Sequence, residues 1–193
     1  METLEIMSTI VLLLFFYIAF WSARLFNRLI KLRTLYEEGW SGVQVALRRR
    51  RDLIPNLVEA AGIYIGHEND TLKGVAQARA MGQAAKGITE TARAEAGMMA
   101  ALAGFKGIVE SYPELKADKN IMHIQVQLTE LEERIEKVRR YYNATVRDHN
   151  MEMDRFPANL VVGMMGFKRA AFFETDEASQ EAPSIEIKRQ ATA

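Results

Sequence analysis

With no cysteine in its 193 residues, the chain has neither a thiol nucleophile nor a thiolate ligand, so catalytic or metal chemistry would fall to His67, His123 and His149. These three are far apart, and no HExxH, CxxC or clustered Asp/Glu–His spacing supports a metal site. No glycine-rich loop cradles a phosphate and no G-x-S-x-G turn presents a serine. Acids are numerous, but nothing singles out a pair for general acid and base work. The chain is therefore read as a non-enzyme with no catalytic residue, no metal and no cofactor. What remains is recognition. Arg50, Asn56, Tyr142 and His149 are polar residues among apolar helical positions. Either a ligand lodges there between helices, or the groups fix helix register and are satisfied by cross-helix hydrogen bonds.

Two long amphipathic helices must position these residues. From Leu32 to about Gly66, the residues Tyr36, Trp40, Val43, Leu47, Ile54, Leu57 and Ala61 recur at alternating steps of four and three, a narrow apolar seam. Arg50 takes the slot of that seam that is not apolar. Its guanidinium must be paired or snorkel out along its stem, and the simpler expectation is a flanking arginine at a wet seam edge. Pro55 lies inside the same pattern, where it removes a backbone hydrogen bond and crowds the preceding turn. A kink is expected there, or a short break with Asp52 as a new N-cap. The second seam, Ile121, Ile124, Leu128, Leu131, Ile135, Val138, Tyr142 and Thr145, with His149 in the next slot, marks a final helix from about Asp118 to Met153. On its outer faces Glu130, Glu132, Glu133, Glu136, Lys137, Arg139 and Arg140 read as a solvated mixed-charge surface.

Two shorter helices are expected between them. His67-Glu68-Asn69-Asp70-Thr71 offers N-cap residues and first-turn acids for one that ends near Gly82 and Gly87. Thr89 or Thr91 starts the next, which runs through Ala92, Ala94, Ala96, Ala100, Ala101, Ala103 and Gly104 until Tyr112-Pro113 stops it. So many small residues predict tight hairpin packing, and an Ala/Met-rich face also suits a surface between subunits. Only four prolines and abundant helix formers make the fold class all-α: an N-terminal transmembrane helix continuous with an antiparallel up-and-down bundle of about four helices.

The transmembrane part is the uncharged run from Ile6 to Ala23, which includes Leu12, Phe16, Tyr17 and Trp21. As a helix it spans roughly 27 Å, close to a hydrocarbon core of about 30 Å. Glu2 and Glu5 precede the run and Arg24, Arg28, Lys31 and Arg33 follow it, the reverse of a signal peptide, so an uncleaved anchor is expected with the N-terminus outside and the bundle in the cytoplasm. Lys plus Arg equals Asp plus Glu at 25 each, and with zero net charge no nucleic-acid partner is expected. If the first helix leaves the bilayer, the last returns to it. There Phe156, Pro157, Leu160, Met164 and Phe167 form an apolar patch bracketed by Arg155, Lys168 and Arg169, which either lies in the bilayer interface or caps the end of the bundle.

The run Asp52-Leu53-Ile54-Pro55-Asn56-Leu57-Val58-Glu59, preceded by Arg49 and Arg50, is the most distinctive local pattern in the chain. Glu68, Ala78 and Arg79, then Tyr112-Pro113-Glu114-Leu115-Lys116, Tyr142-Asn143, Phe156-Pro157 and Gly166-Phe167-Lys168 follow it in order. In that order and spacing, from about Leu35 to Phe173, the chain resembles the LemA family, small bacterial membrane proteins with an N-terminal anchor and a helical-bundle domain. The pair His149-Asn150 departs from the tyrosine usual at that place in the LemA-like pattern.

The resemblance implies a bacterial inner-membrane, single-pass protein and no assigned activity. It also suggests other membrane proteins, such as a membrane protease, as partners by analogy. Residues 1–31 are assigned to the anchor and its basic flank, 32–173 to the bundle, and 174–193 to a disordered polar tail in which Pro183 to Lys188 could bind a partner. The expected function is that of a non-enzymatic membrane-anchored scaffold or adaptor, acting by self-association or by binding other membrane proteins. The alternative is a regulatory or sensory subunit that binds a ligand between its helices.

Overall fold

The structure, a computed structural model, describes residues 2–65 and 69–174. His67, Glu68 and the polar tail beyond Glu174 lie outside the described residues. Among those described there is no strand, and the order of elements is α1 (Glu2–Ile65), α2 (Asp70–Ala84), α3 (Gly87–Ser111), α4 (Pro113–Ala117) and α5 (Lys119–Asp154), then a 3-10 turn at Ala158–Leu160. The all-α, helix-continuous architecture is as expected, with one short helix more.

α1 is a single helix of 64 residues, about 96 Å long at the usual rise. It passes from an N-terminal part in which Leu4 to Phe20 expose their large apolar side chains into the bundle, where Leu25, Leu29, Val43, Leu47, Ile54 and Leu57 are buried. Among the described residues it alone is long and apolar enough to cross a membrane. The break expected at Pro55 is absent. Proline lacks an N–H, so the carbonyl of Arg51 one turn earlier loses its helical donor, but Arg79 Nε on α2 donates to that oxygen at 3.1 Å. With its one orphaned acceptor satisfied and Pro55 itself exposed, the helix continues, and Asp52 is an exposed mid-helix residue, not an N-cap.

α5 returns antiparallel to α1 along the whole bundle. Tyr64 faces Asp118, Arg50 faces Glu132, the Gly39 backbone sits against Tyr142, and Arg28 reaches Glu152. A Cβ on Gly39 would lie 3.2 Å from the Tyr142 Cα, so glycine permits this close crossing. Asp118 caps α5 by accepting from the amides of Asn120 and Ile121. Asn69 does the same for α2 through Thr71 N.

α2 and α3 form a hairpin whose closed end lies at Ala85–Lys86. α3 starts at Gly87, ahead of Thr89 and Thr91, because Gly87 adopts φ +71°, a left-handed conformation that suits glycine. The Thr91 hydroxyl then donates to the Gly87 carbonyl at 2.6 Å. Tyr112 ends α3 and Pro113 opens α4 at its first turn, where a missing N–H costs nothing.

Three apolar clusters follow along the rod. The distal one joins Ile54, Leu57 and Ala61 to Leu72, Val75, Met98, Phe105, Leu115, Ile121 and Ile124, from all five helices. The middle one joins Val43 and Leu47 to Ala92, Ile135, Tyr142, Val146 and Phe173. The one nearest the exposed apolar run joins Leu25 and Leu29 to Met153, Ala158, Val162 and Phe167. The hairpin therefore covers the distal part of the α1–α5 pair and reaches the middle cluster at its closed end through Ile88 and Ala92, and residues 156–173 cover the rest.

Candidate functional site

Arg50 stands where the hairpin meets the long pair, and it is 1% exposed, not at a wet edge. Its guanidinium pairs with Glu95 of α3, itself buried, and Nη1 donates to Glu132 of α5 at 2.6 Å. One side chain thus ties three helices together. Glu132, expected on a solvated outer face, turns inward to meet it. Burial lowers the Arg50 pKa, Glu132 offsets this only in part, and an arginine stays protonated throughout. Arg51 is also shifted down by burial, and its Nη1 lies 4.0 Å from Glu95. Two buried charges cost several kcal/mol of lost hydration each, on the order of what their attraction returns, so such a group adds little net stability although breaking it is costly.

Sequence reasoning missed Glu95. The available signal was a lone acid three residues from both Ala92 and Met98, the buried face of α3. Arg79, known only as part of a pattern, answers the carbonyl freed by Pro55. Asn56 and Arg49 are exposed and take no part in this layer.

The second polar group fastens residues 170–173 to α5. The Asn150 side chain donates to Ala170 O at 3.0 Å and accepts from Ala170 N at 2.9 Å. Asn143 repeats this with Phe173, donating at 3.1 Å and accepting at 2.9 Å, and the Tyr142 hydroxyl donates to Ala171 O at 2.7 Å. A side-chain amide carries one acceptor and one donor side by side, so each asparagine satisfies a residue's N–H and C=O at once, as a neighbouring strand would. The two asparagines are seven residues apart, two helical turns, and so share a face. Tyr142 was expected to bond across helices or to line a ligand site between them, and instead it joins the two asparagines in holding the backbone of a segment without regular structure. Burial pushes the Tyr142 phenol up to about 12, so it remains a donor.

His149 lies between these clips and the cap. Its ring meets Tyr36 edge-on at 5.1 Å and Phe167 at 6.4 Å, Nδ1 is 3.4 Å from Asn150 Oδ1, and Nε2 is buried with no hydrogen-bond partner among the described residues. Burial lowers its pKa. Arg50, Asn56, Tyr142 and His149 are thus spread along the rod and do not converge on one pocket. Among the described residues, no three His, Cys, Asp or Glu side chains are arranged to hold a metal ion.

The returning segment has two faces. Ala158, Val162 and Phe167 pack inward on Leu25, Leu29 and Met153, while Phe156, Leu160 and Met164 point outward at 76%, 66% and 88% exposure. Of the two alternatives for this segment, bilayer interface or cap, Phe167 takes the cap: it is buried, edge-on against Phe26 at 5.5 Å. Lys168 and Arg169 are exposed, and Arg169 donates to both oxygens of Asp154 at 2.7 Å. On α1, Ile6, Leu12, Phe16 and Tyr17 are exposed and Trp21 is partly buried against this cap.

The LemA family profile matches residues 39–187, from the close approach of α1 and α5 at Gly39 onward. Magnetosome proteins MamQ 1 and MamQ 2 of Paramagnetospirillum magneticum are each 35% identical over 81 residues, 42% of this chain and 30% of theirs. Magnetosome protein MamQ of Magnetospirillum gryphiswaldense is 24% identical over 169 residues, 72% of this chain and 62% of its own. Protein LemA of Metamycoplasma hominis is 24% identical over 155 residues, covering 78% of this chain and 69% of that one. The chain therefore spans less than two thirds of the MamQ proteins it matches. None of these names denotes a catalysed reaction. The match over most of its length makes the chain a member of the LemA family.

Proposed function

We propose that this protein is a non-enzymatic scaffold or adaptor of the bacterial inner membrane, anchored by α1 with its N-terminus outside and its bundle in the cytoplasm. The observation that carries this reading is the continuity of α1. One helix runs unbroken from a wholly exposed apolar stretch to the far end of the bundle, about 60 Å beyond Ala23. A rod fixed to its anchor in this way presents side surfaces at a set height above a bilayer. Met81 on α2 and Met99 on α3 expose adaptable apolar side chains on the hairpin, suited to a second copy or to another membrane protein such as a protease. The relatives' names point the same way, since they denote a structure, the magnetosome, and not a reaction.

The test is the mass and composition of the particle extracted in mild detergent from its native membrane. A large particle of this chain alone supports self-assembly, and discrete companions support an adaptor. A bare monomer would overturn both.

A second reading, a sensory subunit, has one observation in its favour: Arg50 Nε is buried with no partner among the described residues, beside a cleft of about 320 Å³ lined by Arg50, Glu95, Glu132, Glu136 and Phe173. Exchanging Arg50 and Glu95 together for apolar residues separates the two. A scaffold keeps its assembly, whereas a sensor keeps its fold and loses its response.

A further inference from the structure

The turns from Arg155 to Gly166 are wound tightly enough to give opposite faces. Asn159 N bonds to Arg155 O, Val162 N to Ala158 O and Met165 N to Val161 O, so residues four apart stack. Ala158 and Val162 face the bundle. Phe156, Leu160 and Met164, at the same spacing, face away from it and are all more than half exposed. A cap that met water would carry polar side chains on that outer face, as a soluble amphipathic segment does. Here both faces are apolar, and the outer one holds three large side chains in succession.

The position of the segment says what the outer face meets. It packs on Trp21, Leu25 and Leu29, within two turns of Ala23, where the uncharged run of α1 ends. Phe26, edge-on to Phe167, and Ile30 are exposed beside it at 42% and 40%, and they connect the patch to the fully exposed stretch from Leu4 to Phe20. The exposed basic residues Arg24, Lys31, Arg155 and Lys168 lie around this level. That combination, apolar side chains in line with a spanning helix and a ring of cations, is what an acyl–headgroup boundary accepts.

We propose that Phe156, Leu160 and Met164 insert into the cytoplasmic leaflet beside the anchor, so that the chain meets the bilayer twice and the rod is held at a fixed tilt. This rests on the anchored reading above. Because the clips of Asn143 and Asn150 tie the same segment to α5, the second contact ties the returning helix to the lipid surface as the anchor ties α1.

The absence of native cysteine makes the test direct. The full chain carries one cysteine at a time, Leu12→Cys, Met164→Cys or Val126→Cys, each labelled with a small fluorophore. Each is reconstituted in phosphatidylcholine–phosphatidylglycerol vesicles with or without brominated acyl chains. All three sites are largely exposed on the protein, so the label disturbs no packing. The expected result is strong quenching at Leu12, loss of about half the signal at Met164, as suits a shallow interfacial depth, and no change at Val126 on the distal part of α5. Quenching at Leu12 with none at Met164 overturns the second contact and leaves the anchor standing. Quenching at neither site overturns both. If Met164 is shielded from bromolipid and from aqueous iodide alike, a second copy covers the patch, and that also overturns the lipid assignment.

Discussion

The distal and proximal parts of the rod are held together differently. Around Ile54, Leu57, Val75, Phe105 and Ile121, all five helices interlock through apolar side chains, with the charged layer of Arg50, Glu95 and Glu132 at the boundary. Around Tyr36, His149 and Phe167 the walls are α1, α5 and a segment without regular structure, held through its backbone by asparagine side chains. The first mode depends on a repeating pattern and tolerates exchange of one apolar residue for another. The second depends on a few amide groups at fixed places and tolerates almost none. The proximal end is therefore the part in which a single substitution frees a segment while the bundle beyond it stays folded.

The largest effect should come from the charged layer. Arg50→Ala leaves Glu95 buried without its main partner, and breaking a buried pair in this way costs on the order of 3–5 kcal/mol. Denaturant unfolding of the fragment from Arg33 onward would show it, and the pair Arg50→Met with Glu95→Leu should recover most of the loss. Recovery of stability together with loss of a single helix arrangement would show that the layer selects neighbours.

Next in size is Asn150→Ala. It strands the partly buried N–H and C=O of Ala170, a loss of about 1 kcal/mol or somewhat more. Hydrogen exchange should rise in residues 168–173 and stay slow in α2 and α3. Equal acceleration at both ends would mean the rod unfolds as one unit and would erase the contrast drawn above.

These differences also explain what could be read without coordinates. Both seams were legible because a period of 3.5 residues survives in any register, and every position of the α1 seam from Val43 to Ala61 is buried. Tyr142, Asn143 and Asn150 were noticed as a pattern, but their partners are backbone atoms of an irregular segment, which no periodicity announces. Arg50 was visible as an intruder, and the error lay in its surroundings: Glu132 sits beside Leu131 on the edge of the seam, where a charge normally faces water. Pro55 demanded that the Arg51 carbonyl find a donor, yet nothing local names Arg79.

That last partnership allows a sharper experiment. Arg79→Ala should cost about 1 kcal/mol in the parent chain, where Pro55 withholds the usual helical donor from the Arg51 carbonyl, and much less in Pro55→Ala, where the helix supplies its own N–H. The two substitutions should therefore couple with a sign that unfolding measurements resolve. Strict additivity would mean that the Arg79 bond does not compensate for the proline.

The smallest effect expected is a pH slope confined to the proximal end. Burial holds the His149 pKa below its ordinary 6.5, the bond to Asn150 opposes this, and the charge of Arg33 on α1 adds to it. Tyr36 and Phe167 face the ring and bring no compensating charge, while Arg28 is engaged by Glu152 one turn away. The unfolded chain therefore binds this proton more readily than the folded one. Stability is complete above pH 6.5 and declines as pH falls toward the folded-state value, because the imidazolium must be accommodated in an apolar site or expelled from it. The same neighbours fix where the loss appears: expulsion of the ring loosens Phe167 and Ala170 and leaves the distal cluster intact. Exchange in residues 167–173 should accelerate below pH 6.5 in the parent chain, and His149→Tyr should abolish that pH dependence while keeping an aromatic against Tyr36. Persistence of the slope in the tyrosine variant would assign it to another group and would remove His149 from the interactions that distinguish the proximal end.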